Sequence, residues 1–323
     1  MKLAEIYPLT EAVIKPWRKR TLLQKTDLFT EDDVKKATDA LIKYCPGFLP
    51  ALKNSGILYR GSSASSRDTL SPRAPKLSYV DSSTGVRTSK DTNNFYQLMM
   101  EISEPLNDAG IPHRSKSLIC STSLMSASNY GAASAVIPVG NPVIAVSDYK
   151  DFLNTRVKYA GGLLGISLTD THFLDYLNIQ LSKFSDGIYD DGIDNNMLLR
   201  SSKKYNTSLT ELEQKIAAAD VDVILAAWLR AVDPVGASQN NQLANAVKSF
   251  IEKNHHTFLH ALASELLTVE SLALKKAQFG DAIPFAKECW FSGKAFLLPR
   301  ELFAKVVDEV KVRGYEVSDE VET

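Results

Sequence analysis

Apolar residues along this chain follow two periods. Short runs rich in β-branched and aromatic residues, at 56–60, 118–123, 135–138, 143–146, 288–291 and 295–298, read as strands. Elsewhere the spacing is helical. Thr30-Glu31-Asp32-Asp33 is an N-cap signature opening a helix with Val34, Ala37, Leu41 and Ile42 on one face, ending before Cys45-Pro46-Gly47. A helix from Asp91 or Thr92 carries Phe95, Leu98, Met99 and Ile102, and a short one is expected near 126–130. Ser208-Leu209-Thr210-Glu211 reads as a capping box whose helix runs through Trp228. Two or three further helices follow before the chain returns to strand at Glu288. Pro299 starts a last amphipathic helix with Leu302, Phe303, Val306, Val307 and Val310 inward. Between the first strand and Asp91 the chain is rich in Ser, Thr, Arg and Pro and reads as a long polar loop.

This order implies an α+β architecture in which early strands pair with late ones around an inserted helical block. The expected organisation is an N-terminal helical region at 1–55, a β-rich core from 56–148 and 281–323, and a helical insertion or cap at 149–280.

Composition narrows the function classes. At 323 residues, 44% hydrophobic and 23% charged, the chain has the make-up of a globular protein with a sizeable core. A formal net charge of -1 provides no global field to recruit nucleic acid or an anionic membrane. Basic residues do gather at 60–90, where Arg60, Arg67, Arg73, Lys76, Arg87 and Lys90 face only Asp68 and Asp81. Cys45, Cys120 and Cys289 show no CxxC spacing, which argues against a disulfide framework and a zinc site. Met1-Lys2-Leu3-Ala4-Glu5 lacks the apolar core of a signal peptide, and the most apolar stretch, 132–146, is interrupted by Pro138, Gly140 and Pro142. The expectation is a cytoplasmic protein without a membrane partner or a metal. His255, His256 and His260 lack the adjacent glutamate of a zinc hydrolase motif and read as hydrogen-bonding or solvent-facing helix residues.

Three strand-associated segments carry the candidate chemistry: Leu58-Tyr59-Arg60-Gly61, Ser121-Thr122-Ser123 and Glu288-Cys289-Trp290-Phe291. An arginine followed by glycine suits a phosphate, through the guanidinium fork and close backbone approach. A Ser-Thr-Ser strand puts its first and third hydroxyls on one face. A carboxylate at a strand start, Glu288, is the fixed anion that a cationic sugar transition state needs.

In their order, these segments, with Ala127 and Tyr130-Gly131 after the second and Gly293 and Phe296 after the third, resemble the Arg–Ser–Glu class of mono-ADP-ribosyltransferases, and bacteriophage proteins carrying the same motif order. The resemblance covers roughly 56–147 and 285–299. It implies a split β-sandwich that binds NAD, as substrate, in a central cleft. It assigns Arg60, with Gly61, to NAD phosphate or ribose, Ser121 to ordering the cleft with Thr122 and Ser123, and Glu288 to catalysis. Tyr130 or Phe95 would stack on nicotinamide. The implied partner is a macromolecular acceptor, a host protein or nucleic acid, met in the host cytoplasm or carried with a virion. Many members have Glu or Gln two residues before the catalytic glutamate, where it selects the acceptor. Ala286 stands there in this chain, so protein arginine is not the implied acceptor. Two other readings compete. One is a catalytically inactive virion or interaction module with this fold. The other is a nucleic-acid binder using the basic 60–90 stretch on phosphates.

Overall fold

The computed structural model describes residues 29–62, 78–82, 95–152, scattered positions between 177 and 188, 211–232 and 241–323. The chain is α+β and divides into two compact units. The first comprises residues up to 84 with 117–150 and 275–323; the second comprises 85–116 with 151–274. The helix Phe95–Ile102 thus belongs to the second unit.

The first unit is built on one antiparallel sheet of eight strands: β1 Leu58–Ser62, β2 Ser78–Asp81, β3 Leu118–Ser121, β4 Ala132–Pro138, β5 Val143–Ser147, β6 Leu274–Gln278, β7 Glu288–Phe291 and β8 Lys294–Pro299. Their spatial order is β2-β8-β4-β1-β3-β7-β5-β6. Each of the six strand runs legible in the sequence lies inside the sheet. The two strands that were not legible, β2 and β6, are its edges, and both fall in segments that read as loop or helix. Edge strands have one bonded neighbour and are protected by charge, so their sequences need not be apolar. In β6, Lys275 and Lys276 are exposed.

Early strands pair with late ones as the pattern requires. Cys120 lies opposite Cys289, Val136 opposite Leu297, and Ala145 opposite Trp290. The helix Arg300–Val312 buries Leu302, Phe303, Val306, Val307 and Val310, the five positions its spacing marks, and Phe303 meets the Tyr59 ring edge-on. Against it packs the helix Glu31–Tyr44, capped as its sequence predicts: Asp33 donates its N–H to the Thr30 hydroxyl, and the Asp33 carboxylate accepts from Thr30 N. After Val312 the chain turns back along this unit. Ser318 N donates to Leu52 O, Tyr59 Oη donates to Glu322 O at 2.7 Å, and Leu124 N donates to the Glu322 carboxylate at 2.5 Å.

The second unit is helical among the described residues. Trp228, Phe184 and Phe258 pack mutually edge-on or tilted in its core. Arg114 is buried, donates to Tyr96 Oη at 2.7 Å and lies over the Tyr96 and Phe152 rings. The helix expected to run through Trp228 is broken: one helix covers 211–218 and another Val221–Val232. Asp220 restarts the helix, its carbonyl accepting from Val223 N and Ile224 N, while His255 Nε2 bonds Ala219 O at 2.8 Å. His255 thus has a hydrogen-bonding role, while His260 is exposed on its helix with Nε2 3.1 Å from the Glu213 carboxylate. No helix among the described residues is long and apolar enough to cross a membrane, and no cluster of metal-ligating side chains occurs among them.

The buried thiols have a consequence for stability. Burial pushes Cys45 up to about 12 and holds Cys289 well above the usual thiol value; it also raises Tyr59, whose phenol lies beside the Glu322 charge. As pH rises, the unfolded chain ionises these groups before the folded one does. The stability the thiols contribute is complete below their ordinary pKa of about 8.5, and that of the phenol below about 10; each is lost above that point at about 1.4 kcal/mol per group per pH unit. The urea midpoint followed by circular dichroism is therefore expected to fall steadily from pH 8 to 11, with a smaller fall in Cys45→Ala. A flat midpoint would contradict the burial of these groups.

Candidate functional site

Arg60, Ser121 and Glu288 come from three consecutive strands of the sheet, β1, β3 and β7. Register decides which side chains meet. Ser121 lies directly opposite Glu288, and Tyr59 directly opposite Ser121, so these three side chains stand on one face. Thr122 N donates to Lys287 O at 3.0 Å, which makes the next residues along the hydrogen-bonded pair and Ser121/Glu288 the non-hydrogen-bonded one. In such a pair the Cα atoms are about 4.5 Å apart and the side chains closest. Both residues are buried, Ser121 at 8% and Glu288 at 7% exposure.

Arg60 follows Tyr59 and leaves β1 on the opposite side. Its guanidinium returns to the seam between β1 and β3, where Nη1 donates to Ile119 O at 2.8 Å. The seam is weakly laddered: β1 and β3 share a single bridge pair among the described residues, whereas β1 and β4 share five and β3 and β7 share four. Continued register would place Gly61 opposite Ile119. At that point an arginine side chain takes the carbonyl a ladder would have used. The structure therefore brings Ser121 and Glu288 together, while Arg60 leaves β1 on the other face and reaches the backbone of β3 at Ile119.

The other residues of the signature have local tasks. β3 ends at Ser121, so the expected Ser-Thr-Ser strand face is not formed. Ser123 instead caps the helix Leu124–Ser128, accepting from Ser126 N, because a serine hydroxyl competes well for the free N–H groups of a helix start. The Ser121 hydroxyl accepts from Ser123 N at 3.1 Å. Thr122 turns toward the segment before β7, donating to Pro284 O at 2.8 Å and accepting from Lys287 N at 2.9 Å. Gly61 is covered by the chain: a Cβ there would lie 2.1 Å from Ala127 O and 2.9 Å from Tyr130 Cβ. Tyr130 itself is exposed. The side chain of Phe95 lies outside the described residues, as do 63–77 and 83–94, most of the basic stretch.

Three features of the site come from the fold rather than from residue type. Tyr59 joins the site's row of side chains, with its hydroxyl tied to Glu322. Ala286 adopts φ 55°, a left-handed conformation that an alanine gives no reason to expect. Phe285, beside it, is exposed at 66%. Of these, only the aromatic at 285, three residues before the signature glutamate, is a signal sequence reasoning could have used.

Gly61 offers a direct check of this packing. Gly61→Ala is expected to destabilise the protein by about 1–3 kcal/mol, because the clash is with backbone rather than a movable side-chain end. Thermal melts of the two proteins measure it; equal melting temperatures would mean that Ala127 and Tyr130 do not close over β1. No protein-family model matches the chain, and no curated protein or solved structure matches it either.

Proposed function

We propose that this chain is an NAD-dependent mono-ADP-ribosyltransferase of the Arg–Ser–Glu type, with its cleft at the β1–β3 seam of an ADP-ribosyltransferase-like split sandwich. The observation that carries the reading is the direct pairing of Ser121 with Glu288 next to a sparsely laddered seam that the Arg60 guanidinium bridges. A dinucleotide threading that seam meets the guanidinium from one side and the Ser121–Glu288 pair from the other. Arg60 has N–H donors beyond Nη1 for the diphosphate. Glu288 accepts from the 2′-hydroxyl of the ribose. The bond from C1′ to the nicotinamide nitrogen breaks, its electron pair leaves with nicotinamide, and positive charge develops on the sugar. The Glu288 carboxylate, held in a mostly dry site, stabilises that charge. A lone pair of the acceptor, a host protein or nucleic acid, then attacks C1′ and the acceptor's proton is released to solvent.

A specific observation favours a second reading, a non-catalytic interaction module. The Ser121, Thr122 and Ser123 hydroxyls all bond the chain's own backbone, and Gly61 is sealed by Ala127 and Tyr130. One assay separates the two. Full-length protein with NAD and a host lysate is expected to release nicotinamide, and Glu288→Gln to lower that rate by roughly 10²–10³-fold, the usual cost of losing one preorganised charge-stabilising group. Wild-type protein that releases no nicotinamide, or an unaffected Glu288→Gln variant, overturns the transferase reading in favour of the module.

A further inference from the structure

Immediately before Glu288 the chain makes a turn that its own sequence does not favour. Ala286 sits at φ 55° and is buried, while Phe285 next to it projects into solvent. A left-handed alanine persists only where its surroundings over-determine it. Here the constraint is Thr122, itself 4% exposed, whose one hydroxyl spans the turn. It donates to Pro284 O at 2.8 Å on the entering side and accepts from Lys287 N at 2.9 Å on the leaving side. The Thr122 backbone N–H adds a 3.0 Å bond to Lys287 O. On the other flank Glu288 N donates to Tyr149 O at 2.9 Å, and Lys287 Nζ bonds Asp148 O. Lys287 and Glu288 are thereby gripped from both neighbouring chain segments at the first residue of β7.

Hydroxyl and methyl have separate uses in this clamp. Valine keeps the shape of threonine but can neither donate to Pro284 O nor accept from Lys287 N. Serine keeps both bonds and loses only the methyl. A simple strand reading puts Thr122 on the face opposite Ser121 and Ser123, and its hydroxyl is taken up by the turn.

We propose that Thr122 is a positioning residue: by clamping the 284–287 turn it fixes where the Glu288 carboxylate stands relative to Ser121. This rests on the transferase reading for its catalytic consequence, but the clamp has a readout of its own. In Thr122→Val the Lys287 amide loses its acceptor, and its hydrogen exchange in the folded protein is expected to accelerate at least about tenfold, since a bond to a side-chain hydroxyl is what protects it. In Thr122→Ser it stays at the wild-type rate. The same Val variant is expected to lower kcat for nicotinamide release by about 10–100-fold with the KM for NAD within about twofold, because a carboxylate misplaced by an ångström loses alignment while the rest of the cleft still binds. Thr122→Ser restores kcat. Thr122→Val with wild-type Lys287 exchange overturns the clamp, and a loosened turn with unchanged kcat overturns its positioning of Glu288. A wild-type protein inactive on NAD would sink the transferase reading by itself, leaving amide exchange to decide the clamp.

Discussion

The register of β3 against β7 is the constraint on which the rest of the site depends. Opposed residues in an antiparallel pair share a face, and a slip by one residue would send every side chain of a strand to the other face. With Cys120 opposite Cys289, two buried thiols are committed to the interior and Ser121 and Glu288 fall together as the closer kind of pair. The apolar residues that lock this register, Leu118 opposite Phe291 and Ile119 opposite Trp290, are not functional candidates. They place the polar pair as a consequence of packing the core. A buried carboxylate is costly unless it is bonded, and the fold accepts Glu288 at the point where β7 begins and the sheet is ending.

Next to this well-laddered pair lies a poorly laddered one. β1 is bound firmly to β4 and only at one bridge pair to β3, and the guanidinium of Arg60 on Ile119 O stands in for a missing rung. Such a seam is stable because other elements close over it. Leu124–Ser128 packs on β1 across Gly61, and residues near 322 tie Tyr59 and Leu124 together. Arg300 Nε also donates to Thr323 O at 2.8 Å. The three segments of the signature are thus bound into one assembly through backbone bonds as much as through their side chains.

The interior of the fold was legible because interior strands must be apolar. Runs such as Val143–Ser147 and Lys294–Pro299 cover both faces of a sheet and leave a clear trace in the sequence. The edges β2 and β6 left none, since Ser-Tyr-Val-Asp and Leu-Lys-Lys-Ala-Gln satisfy an edge strand without resembling one. The break at Ala219–Asp220 was hidden for a related reason: no Gly or Pro marks it, and a distant histidine stabilises it. In the site, Glu288 and Ser121 could be singled out by residue type and order. Their mutual placement could not, because it depends on a register set by residues elsewhere. The double use of the Thr122 hydroxyl is a tertiary feature, as is the left-handed Ala286 that it holds.

The central claim is that the seam between β1 and β3 is an NAD cleft. Amide resonances of the ¹⁵N-labelled full chain, followed while NAD is added, test it most directly. The account predicts saturable shifts concentrated at Tyr59, Arg60 and Gly61, at 119–123, and at Lys287 and Glu288, and weaker binding in Arg60→Ala. Shifts confined to other residues, or none at millimolar NAD, would contradict it.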